Sequence, residues 1–242
     1  MRYVIVYNVL RFLRRFCQLL LRYEGQWVGK VPEDRWHDYR LVAILNHTSL
    51  YEWVFAGIVP DRFLLRMSRY GLIPIADKTM KRPIAGRLWR FTAGNVVSIT
   101  RERDQTWEKV LESLDPQMMP IILPEGRMKR ANGKDAYGRP LVVRGGIAEI
   151  LEAMSDGQFL IAYSQGLHHI QVPGQVIPNM RGTVRMRFES VDIAEYRAEM
   201  EAKAEEAGSS FRAAVVADLQ ARRDRYCTSD RGEAVPYEGE EG

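Results

Sequence analysis

The chain has 242 residues, of which 46% are hydrophobic and 27% are charged, and its formal net charge is +4. This length allows one α/β domain with a full core and is short for two, and the composition is that of an ordinary globular protein. The two cysteines, Cys17 and Cys227, lie near opposite ends of the chain without metal or redox spacing, which favours a reducing cytoplasm.

Charge is distributed unevenly along the chain. Residues 1–30 carry a net charge of +5 and residues 227–242 a net charge of −4. Apolar residues interrupted by Arg11, Arg14 and Arg15 predict a basic amphipathic helix in a membrane interface, because the longest apolar stretch is far below the ~20 residues that a spanning helix needs. A helix that only covers the sheet is the alternative. The expected parts are the interface helix (1–30), an α/β domain (31–225) and an acidic, disordered tail (226–242).

Short apolar segments alternate with helical ones along the domain. Residues 41–45 form an unbroken apolar run that is typical of a strand buried on both faces, and a helix is expected from about Leu50. The same patterns predict strands at 62–68, 95–100, 118–123, 159–163 and 183–189, and helices at 77–92, 104–114, 144–154, 193–207 and 210–223. This order predicts the α/β class: a single domain with a mostly parallel sheet flanked by helices, preceded by the N-terminal amphipathic helix.

A titratable side chain follows the first buried strand. His47 comes after Asn46 at the carboxyl end of that strand, where open α/β sheets carry functional groups, and Glu52 follows five residues later. Two residues five apart on one helix would point about 140° apart, so His47 must lie before the helix with Glu52 on its first turn. The alternative is a capping box, in which Glu52 bonds to the backbone N–H of Ser49.

Polar residues also follow two later strands. Arg101 ends the strand at 95–100, and Pro124-Glu125-Gly126 ends the strand at 118–123. The carboxyl ends of parallel strands share one edge, so these residues and His47 could converge on one pocket. A histidine suits the removal of a hydroxyl proton near neutral pH. The cations available to hold a phosphate there are Arg101, Arg103, Arg127, Lys129, Arg130 and Arg144.

These blocks resemble the motifs of a known family. Asn46-His47-Thr48-Ser49 with Glu52 resembles the N-H-x-S-x-x-D block of the glycerolipid acyltransferases of the 1-acylglycerol-3-phosphate acyltransferase type, with Glu in place of Asp. Residues 94–101 resemble that family's G-x-x-F-I-x-R block with one extra residue, and residues 123–126 resemble its F-P-E-G block. Arg144-Gly145-Gly146 is similar to the basic-x-Gly pair that follows. The order and approximate spacing agree from residue 41 to residue 162.

The resemblance implies an O-acyltransferase. It would move a fatty acyl group from acyl-CoA or acyl-carrier protein to the hydroxyl of a lysophospholipid-type acceptor, first of all lysophosphatidic acid. His47 would be the general base and Glu52 its partner. The substrate site would comprise Asn46, Ser49, Glu125 and Gly126, with the acceptor phosphate held by Arg101, Arg127, Lys129, Arg130 and Arg144.

The same resemblance implies neither a metal nor a cofactor, since a thioester is already activated and the acyl donor is a co-substrate. The expected partners are a membrane lipid acceptor, an anionic membrane surface bound through the N-terminal helix, and acyl-carrier protein as one of the two donors. The expected location is the cytoplasmic face of a membrane, as a peripheral or monotopic protein. Nucleic acid is not expected, because the basic residues do not interleave with aromatic ones.

Other functions fit parts of the sequence. Residues 162–166 loosely match the nucleophile elbow of a serine hydrolase or thioesterase with Ser164 as nucleophile, but that elbow requires a helix next, and prolines follow instead. A non-catalytic lipid-binding module at the membrane surface would explain the basic N-terminal helix but not the histidine–acid pair. His168 and His169 have no further ligand at metal-binding spacing.

Overall fold

The structure is a computed structural model that describes residues 2–36, 38–49, 51–81, 86, 95–100, 105–172, 175 and 177–227. Within this part of the chain the strands are β1 (Arg22–Trp27), β2 (Tyr39–Leu45), β3 (Gly71–Ala76), β4 (Asn95–Ile99), β5 (Met119–Ile122), β6 (Gln158–Ser164) and β7 (Thr183–Asp192). They form one sheet in the order β1-β7-β6-β2-β5-β3-β4. Strands β2 to β6 are parallel, whereas β7 and its parallel neighbour β1 run the opposite way. The predicted α/β class with a mostly parallel sheet is confirmed.

Helices cover both faces of the sheet. In the described residues they are α1 (Arg2–Leu20), a 3₁₀ helix (Glu52–Gly57), α2 (Asp61–Tyr70), α3 (Asp77–Met80), α4 (Gln105–Glu112), α5 (Gly146–Glu152), α6 (Ile193–Glu206) and α7 (Phe211–Tyr226). The first face, under α1, the 3₁₀ helix and α2, buries Val42 of β2, and the second face, under α5, α6 and α7, buries Leu41, Ala43 and Leu45. Because alternate residues of β2 enter two different cores, its sequence is apolar without a break.

The strand predicted at 62–68 is wrong, since these residues belong to helix α2. Phe63, Leu64 and Ser68 are all buried. In a strand Phe63 would face the side opposite to Leu64 and Ser68, whereas in a helix these three positions lie on one side. The arginines of this helix, Arg62, Arg66 and Arg69, remain outside the core. The helical period was therefore present in the sequence, but it was masked by the apolar run at its centre.

Two strands were not predicted. Strand β3 lies between β5 and β4 and contains Pro74, a residue that argues against a central strand when only the sequence is considered. Strand β1 is a largely exposed edge strand with the polar sequence RYEGQW, which has no apolar alternation. Because β1 begins at Arg22, helix α1 ends at Leu20 and is shorter than the helix predicted at 1–30.

With one exception, the other predicted elements are confirmed where the structure describes them. The predicted strands at 41–45, 95–100, 118–123, 159–163 and 183–189 correspond to β2, β4, β5, β6 and β7. The predicted helices at 104–114, 144–154, 193–207 and 210–223 correspond to α4, α5, α6 and α7. The helix predicted at 77–92 is interrupted, because α3 ends at Met80 with Lys81 as its C-cap. Residues 82–85, 87–94 and 228–242, which include most of the predicted tail, lie outside the described residues. None of the described helices is both long and apolar enough to span a bilayer.

Candidate functional site

Asn46 follows strand β2 and adopts a left-handed backbone conformation at the start of the candidate site. Asn46 has a φ of +69°, a conformation that asparagine tolerates better than most residues. Its backbone N–H donates to Oε1 of Glu125 over 2.7 Å, and its side-chain Nδ2 donates to the backbone oxygen of Ser164 over 2.9 Å. Asn46 is only 3% exposed, so both bonds lie in the interior. They hold the turn after β2 to Glu125, which follows β5, and to Ser164, which ends β6.

The turn brings His47 against Glu52. The distance from His47 Nδ1 to Glu52 Oε1 is 2.6 Å, and Glu52 is the first residue of the 3₁₀ helix, as the spacing argument required. A carboxylate can only accept, so Nδ1 carries the proton and Nε2 is the basic nitrogen of the neutral ring. The capping box is not formed, because the residue that caps the 3₁₀ helix is Tyr51 and not Ser49.

Ser49 is held on the other side of this segment. Its hydroxyl donates to Oε1 of Gln171 over 2.5 Å and accepts the backbone N–H of Tyr51 over 3.0 Å. Thr48 accepts the backbone N–H of Leu167 over 2.8 Å. The residues that follow β6 therefore hold the backbone around His47 in place.

The charges around His47 favour its protonated form. Burial of the ring opposes protonation, but the charge of Glu52, its hydrogen bond and the charge of Glu125 outweigh burial and raise the pKa of His47 above the usual 6.5. The two side chains of the pair are 17% and 7% exposed. The pair is thus a base whose conjugate acid is stabilised before any substrate binds.

Glu125 lies beneath this pair at the end of β5. It is 1% exposed, and its Oε2 is buried without a hydrogen-bond partner among the described residues. Burial raises the pKa of Glu125, although the bond from Asn46 and the nearby charge of His47 lower it. Gly126 follows with a φ of +64°, a conformation that favours glycine at this turn.

A cleft of about 340 Å³ opens beside His47. Its floor is the carboxyl ends of β3 and β5, and its walls come from the end of β4, from α4, from the start of α5 and from the start of α7. Most of the lining is apolar. The predicted site residues that line it are His47, Glu52, Ser49, Gly126, Arg127 and Arg144.

The predicted cations are in different situations. Arg127 lines the cleft, but its Nη1 lies 2.5 Å from Oδ2 of Asp135, and its guanidinium lies over the ring of Tyr137. Burial opposes ionisation of Asp135, yet the backbone N–H groups of Arg139 and Tyr137 and the Arg127 guanidinium lower its pKa to about 2. Arg127 therefore also orders the loop that follows β5. Arg144 is tied to the turn, since its Nε donates to the backbone oxygen of Glu125 over 3.1 Å.

Two of the remaining cations, Lys129 and Arg130, do not line the cleft. Lys129 contributes a backbone N–H, which donates to the backbone oxygen of His47 over 2.7 Å, and its side chain is outside the cleft lining. Arg130 is exposed and also outside that lining, so its role in phosphate binding stays a prediction. Arg101 and Arg103 lie outside the described residues.

Sequence reasoning missed one side of the cleft. Arg212, Glu149 and Trp107 line it, with Nη1 of Arg212 3.2 Å from Oε1 of Glu149 and Nε1 of Trp107 2.7 Å from Oε2 of the same residue. A Cβ at Gly145 would lie 1.9 Å from Nε of Arg212, so glycine is needed for Arg212 to cross there. The only sequence signal was the Gly145-Gly146 pair, because three helices distant in sequence supply these side chains.

An apolar cavity of about 110 Å³ adjoins the cleft on the first face of the sheet. It lies between the sheet and the cover of α1, the 3₁₀ helix and α2. Glu52, Ile73 and Leu123 line both spaces. Glu52 therefore borders both the cleft and the apolar cavity, whereas His47 lines the cleft.

The features that suggested other sites have structural roles. Ser164 is 1% exposed, its hydroxyl accepts the backbone N–H of Gly166 over 2.9 Å, and no helix follows it directly, so it does not form a nucleophile elbow. Nε2 of His168 and Nε2 of His169 bond to the backbone oxygens of Lys129 and Thr183. No group of three or more metal-binding side chains occurs within the described part of the chain.

Comparisons with known proteins leave the site to be interpreted from its own geometry. No protein-family model matches this sequence, and no curated protein matches it.

Proposed function

We propose that the protein is an O-acyltransferase that moves a fatty acyl group from acyl-CoA or acyl-carrier protein to the hydroxyl of a lysophospholipid-type acceptor. The observation that carries the proposal is the His47–Glu52 pair, with 2.6 Å between Nδ1 and Oε1, beside a cleft of about 340 Å³. The resemblance of residues 46–52 and 123–126 to acyltransferase motifs supports the same reaction.

In the proposed reaction, Nε2 of His47 takes the proton from the acceptor hydroxyl while the hydroxyl oxygen attacks the thioester carbonyl carbon. The Glu52 carboxylate stabilises the imidazolium that forms and keeps the ring in position. When the tetrahedral intermediate collapses, the carbon–sulfur bond breaks and the thiolate takes the proton back from Nε2. The products are an ester and a free thiol, and the base is regenerated.

The walls of the cleft suit a substrate with an anionic end and an apolar body. Arg144 and Arg212 border it, held in position by the backbone oxygen of Glu125 and by the carboxylate of Glu149. The anionic end of lysophosphatidic acid would bind beside these two guanidinium groups through charge-assisted hydrogen bonds. The adjoining apolar cavity of about 110 Å³ would accept part of an alkyl chain next to the reacting carbonyl. Both features support a lipid acceptor and a fatty acyl donor.

The exposed side chains of helix α1 support a function at a lipid surface. Val6, Leu10 and Cys17 are buried against the domain, while Ile5, Phe12 and other large apolar residues remain exposed. The helix thus both covers the sheet and presents an apolar face with arginines, as an interfacial helix would. We propose that it binds an anionic membrane, with the protein as a peripheral or monotopic component of the cytoplasmic face.

Purified full-length protein, an acyl-CoA and lysophosphatidic acid test the proposal, with product identified by mass and free thiol measured in parallel. His47→Ala should lower turnover by about 10²- to 10⁴-fold, the usual contribution of a general base. His169→Ala is the matched control, because that histidine bonds to the backbone of Thr183 outside the cleft, and it should keep the wild-type rate. Undiminished turnover in His47→Ala would remove His47 from the reaction.

Two further results would favour the rival functions. Thiol release without an acceptor, lost in Ser164→Ala and kept in His47→Ala, would indicate a serine thioesterase. Binding to vesicles without consumption of acyl-CoA or acyl-carrier protein by any variant would indicate a lipid-binding module.

A further inference from the structure

Helix α1 carries a continuous line of exposed apolar side chains. Ile5, Phe12, Phe16 and Leu19 are 59%, 69%, 41% and 83% exposed. They are seven, four and three residues apart, which puts them on one side of a helix that turns about 100° per residue. The buried residues of α1 lie on the opposite side, so this line faces away from the domain.

The loop from Leu167 to Gly182, of which residues 167–172, 175 and 177–182 are described, exposes a second group of apolar side chains. Leu167 and Ile170 are buried in the same core cluster as Val6 and Leu10 of α1, so the loop and the helix pack on the same face of the sheet. Val172 and Ile177 of this loop are nevertheless 41% and 78% exposed. The loop is anchored by two apolar residues and offers two others to the outside.

The loop and the C-terminal end of α1 meet at the edge of the sheet that carries His47. Strands β1 and β7 are antiparallel to β6 and therefore to β2, so they begin at the edge where β2 ends. The backbone N–H of Arg22 donates to the backbone oxygen of Gly182 over 3.1 Å, which joins the helix end to the loop end. The bonds from Leu167 to Thr48 and from Ser49 to Gln171 join the loop to the His47 segment.

The charge of both segments is complementary to an anionic surface. Neither residues 1–21 nor residues 167–182 contain an acidic residue. Exposed arginines lie in or directly after the two segments at Arg2, Arg15, Arg22 and Arg181. Apolar side chains bordered by arginines, without any carboxylate, are the composition of a surface that enters anionic lipid headgroups.

We propose that the Leu167–Gly182 loop is a second membrane anchor, which inserts Val172 and Ile177 into an anionic bilayer beside α1. The membrane surface would contact both anchors and would therefore lie along the sheet edge that carries His47. Docking itself needs no catalysis. Its use, the delivery of a lipid acceptor to the cleft from the bilayer, rests on the proposed function.

Flotation of the full-length protein with vesicles tests this anchor directly, with phosphatidylcholine vesicles compared with vesicles that also contain phosphatidylglycerol. Ile177→Asp should weaken binding to the anionic vesicles by about ten-fold or more, since it replaces a large apolar side chain with a charge. Val142→Asp is the matched control. Val142 is 54% exposed, but its neighbours Leu141 and Val143 bond to α7 on the other face of the sheet, so this variant should bind like the wild type.

Further variants separate the outcomes. Leu19→Asp should weaken binding as well, and the double variant with Ile177→Asp should bind more weakly than either. Wild-type binding by Ile177→Asp, with binding lost in Leu19→Asp, would overturn the second anchor and leave α1 alone. The second anchor is also overturned if light scattering shows that the wild type is a dimer and that Ile177→Asp disrupts it.

Acyl transfer to a water-dispersed short-chain acceptor separates this proposal from the proposed function. Ile177→Asp should keep that activity and the wild-type thermal unfolding curve, and lose activity only towards acceptor embedded in vesicles. If vesicle binding follows the predicted pattern while no variant transfers acyl groups, the anchor stands and the proposed function fails. If the wild type transfers acyl groups and Ile177→Asp transfers them to vesicle-embedded acceptor at the same rate, the loop is not a membrane anchor.

Discussion

Replacing Glu52 with Gln would separate the charge of this residue from its size. The amide oxygen of Gln can still accept the bond from Nδ1 of His47 across the 2.6 Å that separates the two groups. What disappears is the negative charge. In the proposed reaction the neutral ring of His47 becomes an imidazolium as it takes the proton of the acceptor, so the loss should fall on the transition state and not on substrate binding.

The size of the effect follows from the surroundings of the pair. The side chains of His47 and Glu52 are only 17% and 7% exposed, so solvent screens their interaction weakly. A hydrogen bond to a charged group contributes about 1.5–3 kcal/mol and a neutral one about 0.5–1.5 kcal/mol, a difference of about 1–2 kcal/mol. At about 1.4 kcal/mol per factor of ten, kcat should fall about five- to thirty-fold while KM changes little.

The pH dependence provides a second measurement on the same variant. In the wild type the charges of Glu52 and Glu125 outweigh burial and raise the pKa of His47. Without the Glu52 charge, burial is opposed less, so the acid limb of kcat/KM should move to lower pH in Glu52→Gln. A raised pKa of His47 also contributes stability that is full below the unfolded-state pKa of about 6.5 and is lost as pH rises through the folded-state value. The variant should lack that contribution.

Acyl-CoA turnover from pH 5 to pH 9, with thermal unfolding at each pH, measures both effects. Glu52→Asp is the matched variant, because it keeps the charge on a side chain one methylene shorter, and its rate should lie between those of the wild type and Glu52→Gln. Combining Glu52→Gln with His47→Gln should add little to the loss from His47→Gln alone. A Glu52→Gln enzyme with the wild-type kcat and an unshifted acid limb would refute the role of this charge.

Four other outcomes follow from the structure. The wild-type acid limb of kcat/KM should have its midpoint above pH 6.5, because the pKa of His47 is raised. Asn46→Ala should lower the free energy of unfolding by about 1–3 kcal/mol through the left-handed backbone and the lost buried bond, and Asn46→Gly should be less destabilising because glycine accepts that backbone; equal thermal denaturation midpoints would contradict this. Ala56→Leu reduces the apolar cavity and should shift preference to shorter acyl-CoAs in a chain-length series, with little change for the shortest. Asp135→Asn should lower the melting temperature at pH 7, and the difference should vanish as pH falls towards the Asp135 pKa of about 2, because the ionised Asp135 is what holds Arg127.

The parts of the site that the sequence predicted correctly depend on local geometry. The strand that ends at Leu45 was visible as an apolar run because both faces of β2 are buried, and the end of such a strand fixes where polar residues emerge. The contact between His47 and Glu52 spans only five residues, so the pitch of one helical turn was enough to predict it. The strand predicted at 62–68 failed for the converse reason, since a short apolar run has no period long enough to separate helix from strand.

The cationic side of the site depends on contacts that no local pattern contains. Arg127 was predicted to bind phosphate because of its place after Gly126, but Asp135, eight residues later, already bonds to it. Arg212 borders the cleft only because α7 packs across the start of α5, 63 residues from its partner Glu149. Side-chain partners of arginines are set by tertiary packing, so composition could predict that the loop is basic and could not predict which cations face the cleft.

Glu125 connects the turn that carries His47 to the wall of the cleft. Its carboxylate accepts the N–H of Asn46, and its backbone oxygen accepts Nε of Arg144, so one residue at the end of β5 holds both the turn that carries His47 and an arginine of the cleft wall. That turn works only because Asn46 adopts a left-handed backbone, which directs the chain off the end of β2. A glutamate at this place therefore has a positional reason that does not require contact with substrate. In this structure the segment Pro124-Glu125-Gly126 and the turn at Asn46-His47 are therefore coupled through the carboxylate of Glu125.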